Sequence, residues 1–236
     1  MAVDNRNPDR PIFFLTEDHE RGALRKYSPA PSTIASWDTL HAEGGSTKYL
    51  VFLENNRFKW TNNEDRARSS QQEHFRNVEG IDYNDGFLYF VSKKMLMLYV
   101  LDLDNGTYRS SSTKDGVLVG AGEFRHSPDQ IVRNNEGEYL YLTEDGGKTV
   151  GVYAIHTQTG QRYAIFESHY DKYVHDETTG LAFSLDGSKM YAAFQDCGCE
   201  DSEGGVDFNC GCLLEFSRSD GRSFDGSTTG LKFHSS

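Results

Sequence analysis

Acidic residues recur in this sequence beside short apolar runs, and they are its best candidates for chemistry. Glu17 lies one residue before the end of the run PIFFLTED, Glu79 begins EGIDYNDGFLYF, and Glu144 lies one residue before the end of EYLYLTED. Asp129 is the second residue of PDQIV, and Glu177 begins ETTGLAF. Carboxylate oxygens without clustered histidines are the ligands that Ca²⁺ prefers, with Mg²⁺ and Mn²⁺ as alternatives. The alternative interpretation is that these carboxylates bond loop N–H groups or face water.

The segment from 128 to 147 shows how such acids can be brought together. Its sequence, PDQIVRNNEGEYLYLTEDGG, predicts a β-hairpin, because Asn and Gly in NNEG tolerate positive φ and the run YLYLT is rich in β-formers. A hairpin returns the chain to the edge it left. We therefore expect Asp129 to lie near Glu144 and Asp145.

The same pattern is repeated along the chain. Each unit reads as strand, Asp/Asn-Gly turn, aromatic strand, loop, strand, Gly turn and strand. Units begin near 11, 79, 129 and 177, and a spacing of about 50 residues with four strands is typical of propeller blades. We expect one all-β domain over 1–236, a β-propeller of about four to five blades, with a β-sandwich as the alternative. A fifth blade could include 48–61, and NEDRARSSQQEHF predicts a short helix over 63–75.

Propeller geometry gives the acids a common location. The first strand of a blade lines the central channel and the second runs back beside it, so first-strand starts and second-strand ends share one mouth. We therefore expect Glu17, Glu79, Asp129, Glu144 and Glu177 to be metal ligands at that mouth.

Composition limits the possible partners. The 236 residues carry 24 Lys and Arg against 36 Asp and Glu, a net charge of −12. This balance disfavours nucleic acid, which requires a basic surface, and favours cations. No stretch has the roughly 20 apolar residues of a membrane span. The N-terminus, MAVDNRNPDRP, has no signal region but begins almost inside a predicted strand, so we expect a trimmed chain and secretion stays open.

Several of these segments together resemble the PhoX family of calcium-dependent alkaline phosphatases and its related propeller proteins. The resemblance rests on FFLTEDHERGALRKYSP, EGIDYNDGFLYF, SPDQIVRNNEGEYLYLTEDGG and ETTGLAFSLDGSKMYAAFQ, and it extends over about 12–216. It implies a secreted or periplasmic propeller that holds Ca²⁺ at its axial face. In the phosphatases themselves it implies an iron–calcium cluster that hydrolyses phosphate monoesters.

Individual positions match the family unequally. Glu17, Glu144 and Glu177 match its TED and E-x-TG positions, and Glu79 matches the glutamate of its Arg-Pro-Glu-Gly segment. The family arginine that would hold phosphate falls at Asn77; Arg76, the weak candidate here, is one residue further away. The family's upstream blades, with an iron-bridging cysteine, have no counterpart in this sequence.

Two functions therefore remain open from the sequence. One is a metal-dependent phosphomonoester hydrolase, and the other is a non-catalytic, Ca²⁺-stabilised propeller that binds a protein partner at its mouth. A lactonase-like propeller with one axial Ca²⁺ is a third interpretation.

Four cysteines form a compact set at 197, 199, 210 and 212, as C-G-C, an acidic loop and C-G-C. On a hairpin, Cys197 would face Cys212 and Cys199 would face Cys210, which predicts two cross-strand disulfides and an oxidising compartment. A tetrathiolate Zn²⁺ site and free thiols are the alternatives.

Of the eight histidines, only His19 and His175 stand beside the acidic positions. The C-terminal TTGLKFH echoes TTGLAF and is a candidate closing strand for the first unit.

Overall fold

A computed structural model describes residues 1–30, 44–114, 118–119, 124, 126–134, 137–146, 150–167, 177–195, 199–200, 206–207 and 210–224. The chain divides into two compact units, Met1–Ser112 and Thr113–Ser236. Nearly all of its regular structure is β, in almost entirely antiparallel sheets that include four-stranded meanders of the kind that form propeller blades. The predicted fold class is confirmed.

The first unit is built on one nine-stranded sheet in the order β1-β2-β3-β4-β5-β9-β8-β7-β6. Its strands β6 to β9 form a four-stranded antiparallel meander, the clearest blade of the unit. The strands are β1 (Ala2–Asp4), β2 (Ile12–Leu15), β3 (Arg25–Ser28), β4 (Ser46–Leu53), β5 (Arg57–Thr61), β6 (Val78–Asn84), β7 (Phe87–Ser92), β8 (Met97–Asp102) and β9 (Thr107–Ser112).

One strand of this unit was not expected and one expectation needs correction. The AVD segment was too short to show an alternating pattern, but it forms β1 and pairs with β2, ahead of the repeat start expected near 11. The segment 48–61 does not make a blade of its own. It forms the β4–β5 hairpin, whose strand β5 joins β9 through Arg57 and Thr107.

The helix was predicted correctly. Helix α1 spans Glu64–His74, and the side chain of Asn63 caps it by accepting a hydrogen bond from the backbone N–H of Arg66 at 2.9 Å. A cap of this kind satisfies one of the N–H groups that a helix start leaves unpaired. On one side of the sheet, Ala67 of α1 packs with Ala23 and Val51.

The second unit contains a blade that matches the predicted hairpin, with β11 to β14 in sequential antiparallel order and β10 added in parallel at β14. A further sheet has the order β15-β16-β19, and β17 pairs with β18. The strands are β10 (Leu118–Val119), β11 (Ser127–Arg133), β12 (Tyr139–Asp145), β13 (Gly151–His156), β14 (Arg162–Glu167), β15 (Thr178–Phe183), β16 (Lys189–Phe194), β17 (Cys199–Glu200), β18 (Val206–Asp207) and β19 (Cys212–Ser217).

Each unit has its own aromatic core. In the first, Phe52, Phe75, Phe90 and Tyr99 are buried together, with Phe90 and Tyr99 stacked at 5.0 Å between ring centroids. In the second, Tyr141 contacts Phe183 edge to face at 4.8 Å. Large buried rings dominate the apolar burial that stabilises short strands. The candidate closing strand TTGLKFH lies outside the described residues.

Candidate functional site

A β-bulge recurs near the start of the first strand of three antiparallel hairpins, β6–β7, β11–β12 and β15–β16. The register shifts between Val78 and Ile81 in β6, between Pro128 and Ile131 in β11, and between Thr178 and Gly180 in β15. A bulge leaves residues outside the ladder and turns their side chains, which is why bulges are common beside functional sites. Glu79 and Asp129 both occupy such a bulge.

The third acid, Glu177, occupies a different position. Its carbonyl accepts the N–H of Gln195, just as the carbonyl of Asn77 accepts the N–H of Lys93, both at 2.9 Å. Glu177 is therefore the counterpart of Asn77, not of Glu79. The bulge of β15 holds Thr179 where the other two blades hold a carboxylate.

In the first unit, the bulge brings Glu79 against the end of β7 and the loop after β2. The ammonium nitrogen of Lys93 lies 3.3 Å from Oε1 of Glu79 and 4.0 Å from Oδ2 of Asp18. The side chain of Asn77 donates a hydrogen bond of 2.8 Å to Oδ1 of Asp18. Only 14% of the Glu79 side chain is exposed. We call Asp18, Asn77, Glu79 and Lys93 the Glu79 cluster.

Glu79 is the electrostatically unusual member of the Glu79 cluster. Burial, the charge of Asp18 and a hydrogen bond with Asp18 raise the pKa of Glu79 to about 7, while Lys93 acts in the opposite direction. A hydrogen bond between two carboxyl groups needs a proton. When Glu79 and Asp18 are both ionised, the single positive charge of Lys93 does not balance their two negative charges.

The loop that carries Asp18 is fixed to helix α1. Gln71, which is fully buried, donates from Nε2 to the carbonyl of His19 at 2.9 Å and accepts the N–H of Leu24 at 3.2 Å. Gly22 packs so closely that an added Cβ would lie 2.7 Å from the carbonyl oxygen of Glu17. Because backbone groups are held at both ends of the loop, Asp18 is held at a defined position.

Asn77 adopts a left-handed backbone with φ of 50°, which few non-glycine residues do. In this conformation its backbone carbonyl accepts from Lys93 while its amide reaches Asp18. Local strain of this kind concentrates at functional sites. One residue thus connects both neighbours of Glu79.

Glu17 and Arg76, two predicted site residues, are engaged elsewhere. Oε2 of Glu17 accepts from Nη2 of Arg25 at 2.7 Å. The guanidinium of Arg76 donates from Nε to the carbonyl of Gln72 and lies 3.9 Å from Glu20. Arg76 is thus directed to α1, which does not favour a phosphate clamp.

In the second unit, the predicted hairpin brings its acids together as expected. Ser127 pairs with Asp145 and Pro128 with Glu144, so Asp129 follows directly beside the end of β12. Asp129 is 5% exposed and Glu144 is fully buried. An isolated bridge joins Asp145 to Glu177.

Glu144 is the most enclosed of these acids. One of its oxygens accepts the N–H of His126, and the other lies 3.2 Å from the hydroxyl of Tyr153. The same hydroxyl donates to Glu167 at 2.8 Å. Burial and these two carboxylates raise the pKa of Tyr153. One oxygen of Glu144 thus accepts a backbone N–H, which is the alternative to metal binding that the sequence left open.

No group of three or more His, Cys, Asp or Glu side chains within the described ranges is arranged to hold a metal ion. Nδ1 of His19 accepts the N–H of Arg21 at 3.0 Å, and His175 lies outside those ranges. Sequence reasoning did not select Tyr153 or the left-handed Asn77. Asp18 and Lys93 could have been chosen, because they directly follow the predicted strand ends.

The cysteine hairpin has a different register from the predicted one. Cys212 is opposite Phe194, and Cys199 is opposite Asp207. The expectation that position 197 faces 212 and 199 faces 210 is therefore wrong, because both observed pairs lie three positions away from that register. Cys210 and Cys212 are nevertheless both disulfide-bonded. The identity of their partners stays a prediction, since Cys197 and the Cys199 side chain are outside the described part.

In the described part of the chain, no helix is long and apolar enough to cross a bilayer.

No protein-family model matches this sequence, and no curated protein matches it. Similar solved structures include a nidogen/laminin complex, with 15% identity, a TM-score of 0.49, and coverage of 82% of this chain and 59% of that one. Another is the extracellular domain of a hybrid two-component system from B. thetaiotaomicron, with 12% identity, a TM-score of 0.47, and coverage of 93% and 28%. A third is hydrazine synthase of Kuenenia stuttgartiensis, with 13% identity, a TM-score of 0.43, and coverage of 87% and 46%. This chain spans well under two thirds of each, and such distant similarity carries no argument about activity.

Proposed function

We propose that this propeller binds a divalent cation with oxygen ligands, Ca²⁺ in the first place, at the Glu79 cluster. The observation that carries the proposal is that Glu79 and Asp18 share one ammonium, with Nζ of Lys93 at 3.3 and 4.0 Å, while burial and then the charge of Asp18 raise the pKa of Glu79 to about 7. A cation supplies the charge that a shared proton otherwise provides.

The donor set fits this class of ion. Two carboxylates and the amide oxygen of Asn77 are hard oxygen donors, and Ca²⁺ takes about 6–8 such ligands with water completing the shell. The ammonium of Lys93 would have to move away from Glu79. When bound, a Ca²⁺ ion would neutralise the carboxylates and could polarise an anionic group of a ligand.

Phosphomonoester hydrolysis has weaker support. The resemblance to the PhoX family implies it, but the guanidinium of Arg76 is directed to Gln72 and Glu20. We therefore propose a cation-binding propeller whose bound ion stabilises the fold and presents the Glu79 cluster to a partner, without assigning a catalytic residue.

Calorimetric titration with Ca²⁺ tests the proposal on the wild type, Glu79→Gln, Asp18→Asn and the control Glu54→Gln. Glu54 is exposed at the β4–β5 turn, away from the Glu79 cluster. We expect Glu79→Gln and Asp18→Asn to weaken binding by at least about tenfold, the loss of one charged ligand, and Glu54→Gln to leave it unchanged. Equal affinity in all four proteins would remove the Glu79 cluster as the site. Parallel hydrolysis assays with p-nitrophenyl phosphate would show whether the Ca²⁺-loaded chain is also a phosphatase.

A further inference from the structure

The first unit also carries a pair of positive charges on neighbouring strands. Strands β3 and β4 place Lys26 directly opposite Lys48. Like charges in directly opposed positions of a sheet destabilise it. In a chain with 36 acidic residues and a net charge of −12, this pair is unexpected unless an anion compensates it.

Within the described ranges, no acid forms an ion pair with either lysine. Asp4 acts on Lys26 only at longer range. The carboxylate of Asp4 is taken by Arg6, whose Nη2 lies 2.9 Å from Oδ2 and whose Nε lies 3.1 Å from Oδ1.

Lys26 is also held in place. Its Nζ lies 5.7 Å from the centroid of the Trp60 ring, and the residue is half-buried between Phe14 and the neighbouring strand. Burial and the charge of Lys48 lower the pKa of Lys26. The pair therefore presents two positive charges, one held against the Trp60 ring and one on the exposed side chain of Lys48.

We propose that Lys26 and Lys48 bind a compact tetrahedral oxyanion, a phosphate or sulfate group, at the edge of Trp60. Opposed side chains on neighbouring strands have Cβ atoms about 5 Å apart, a separation that one such group can bridge. Two lysines offer compact point charges with rotatable donors, which suit a tetrahedral oxyanion, whereas a planar carboxylate is better matched by the fork of an arginine. The oxyanion can be a free ion or the phosphoryl group of a larger ligand.

The test is calorimetric titration of the full chain with inorganic phosphate, inorganic sulfate and glycerol phosphate. It is done at constant ionic strength with EDTA present. We expect Lys26→Gln and Lys48→Gln each to weaken phosphate binding by about tenfold. Lys59→Gln is the matched control, since Lys59 is exposed and alternates to the other face of β5 from Trp60. Glu79→Gln should bind phosphate like the wild type, which separates this site from the proposed cation site.

Several outcomes decide the proposal. Absence of phosphate and sulfate binding up to about 10 mM would overturn it, and so would an equal loss in Lys59→Gln. Tighter binding of glycerol phosphate than of phosphate would support an esterified ligand, and the reverse would support the free ion. Lys48→Gln changes an exposed residue, so it keeps the test valid if Lys26→Gln folds poorly. Without anion, Lys48→Gln should melt no lower than the wild type, because it relieves the repulsion.

Discussion

The ammonium of Lys93 lies 3.3 Å from Glu79 and 4.0 Å from Asp18, so one cation is shared between two carboxyl groups. That ratio leaves the Glu79 cluster one positive charge short when both acids are ionised. Burial and this shortage of positive charge raise the pKa of Glu79 to about 7, and the shortage is the physical basis of the proposed cation affinity.

Glu79 should make the stability of the chain depend on pH near neutrality. Its pKa is raised from 4.5 to about 7 in the folded state. The protonated form therefore favours folding below pH 4.5, and this contribution is lost as the pH rises through 7. In metal-free buffer we expect Glu79→Gln to be more stable than the wild type at pH 8, by on the order of 2 kcal/mol, and nearly equal to it at pH 4.5.

Denaturant unfolding at several pH values measures this difference. Glu54→Gln, an exposed carboxylate, should show no such pH-dependent gain. A wild type whose stability runs parallel to that of Glu79→Gln from pH 4.5 to 8 would contradict the raised pKa.

Neither Gly nor Ala at position 77 should give the stability of the wild type. Asn77→Gly keeps the left-handed backbone of φ 50° but loses the hydrogen bond from the side-chain amide to Asp18. Asn77→Ala loses both, so we expect it to be less stable than Asn77→Gly by about 1 kcal/mol. Thermal melting ranks the variants, and both should bind Ca²⁺ more weakly than the wild type. The opposite ranking of the two melting temperatures would show that the backbone strain at Asn77 is unimportant.

The hydroxyl of Tyr153 should contribute to the stability of the second unit. The ring is 2% exposed, and the hydroxyl contacts Glu144 at 3.2 Å and Glu167 at 2.8 Å. Tyr153→Phe removes the one O–H donor that lies within hydrogen-bond distance of both carboxylates, so we expect a loss of about 2 kcal/mol in the free energy of unfolding. Tyr163→Phe is the control, because the hydroxyl of Tyr163 has no hydrogen bond in the described part of the chain. Equal losses in the two variants would argue that the ring environment, not the hydroxyl, is responsible.

The cysteines should react as disulfides. Cys210 and Cys212 are disulfide-bonded, and we predict that Cys197 and Cys199 supply the partners. Thiol titration of the unfolded, unreduced chain should find no free thiols, and mass spectrometry should show an increase of about 4 Da on reduction, two hydrogens for each bond. Four titratable thiols, or one zinc ion per chain, would instead favour the thiol or tetrathiolate alternatives.

Local sequence patterns predicted most of the elements. The hairpin predicted over 128–147 is present as β11 and β12, with Pro128 opposite Glu144, and Asn63 caps the one described helix as its side-chain chemistry indicates. The failures have a common cause, which is register. A bulge adds residues on one strand without a sequence signature, so Glu177 could not be distinguished from the Glu79 position. The sequence also does not mark the register of the cysteine hairpin, which differs by three residues from the expected one.

The candidate site was predictable only as a location. Strand ends pointed to Glu17 and Glu79, but long-range contacts decide which of the neighbouring acids, Glu17 or Asp18, lies beside Glu79. Glu17 pairs with Arg25, whereas Asp18 turns to Asn77, because Gln71 fixes the loop between them and α1. No spacing rule in the sequence separates two adjacent acids in this way.

Direct measurement of the ionisation of Glu79 tests the cation proposal most sharply. Carbon-detected NMR titration of the Glu79 carboxyl, assigned with Glu79→Gln, should give a pKa near 7 without metal. Saturating Ca²⁺ should shift that pKa downward, because the ion competes with the proton. An ordinary glutamate pKa of about 4.3 that Ca²⁺ leaves unchanged would contradict both the carboxyl pairing and the proposed cation site.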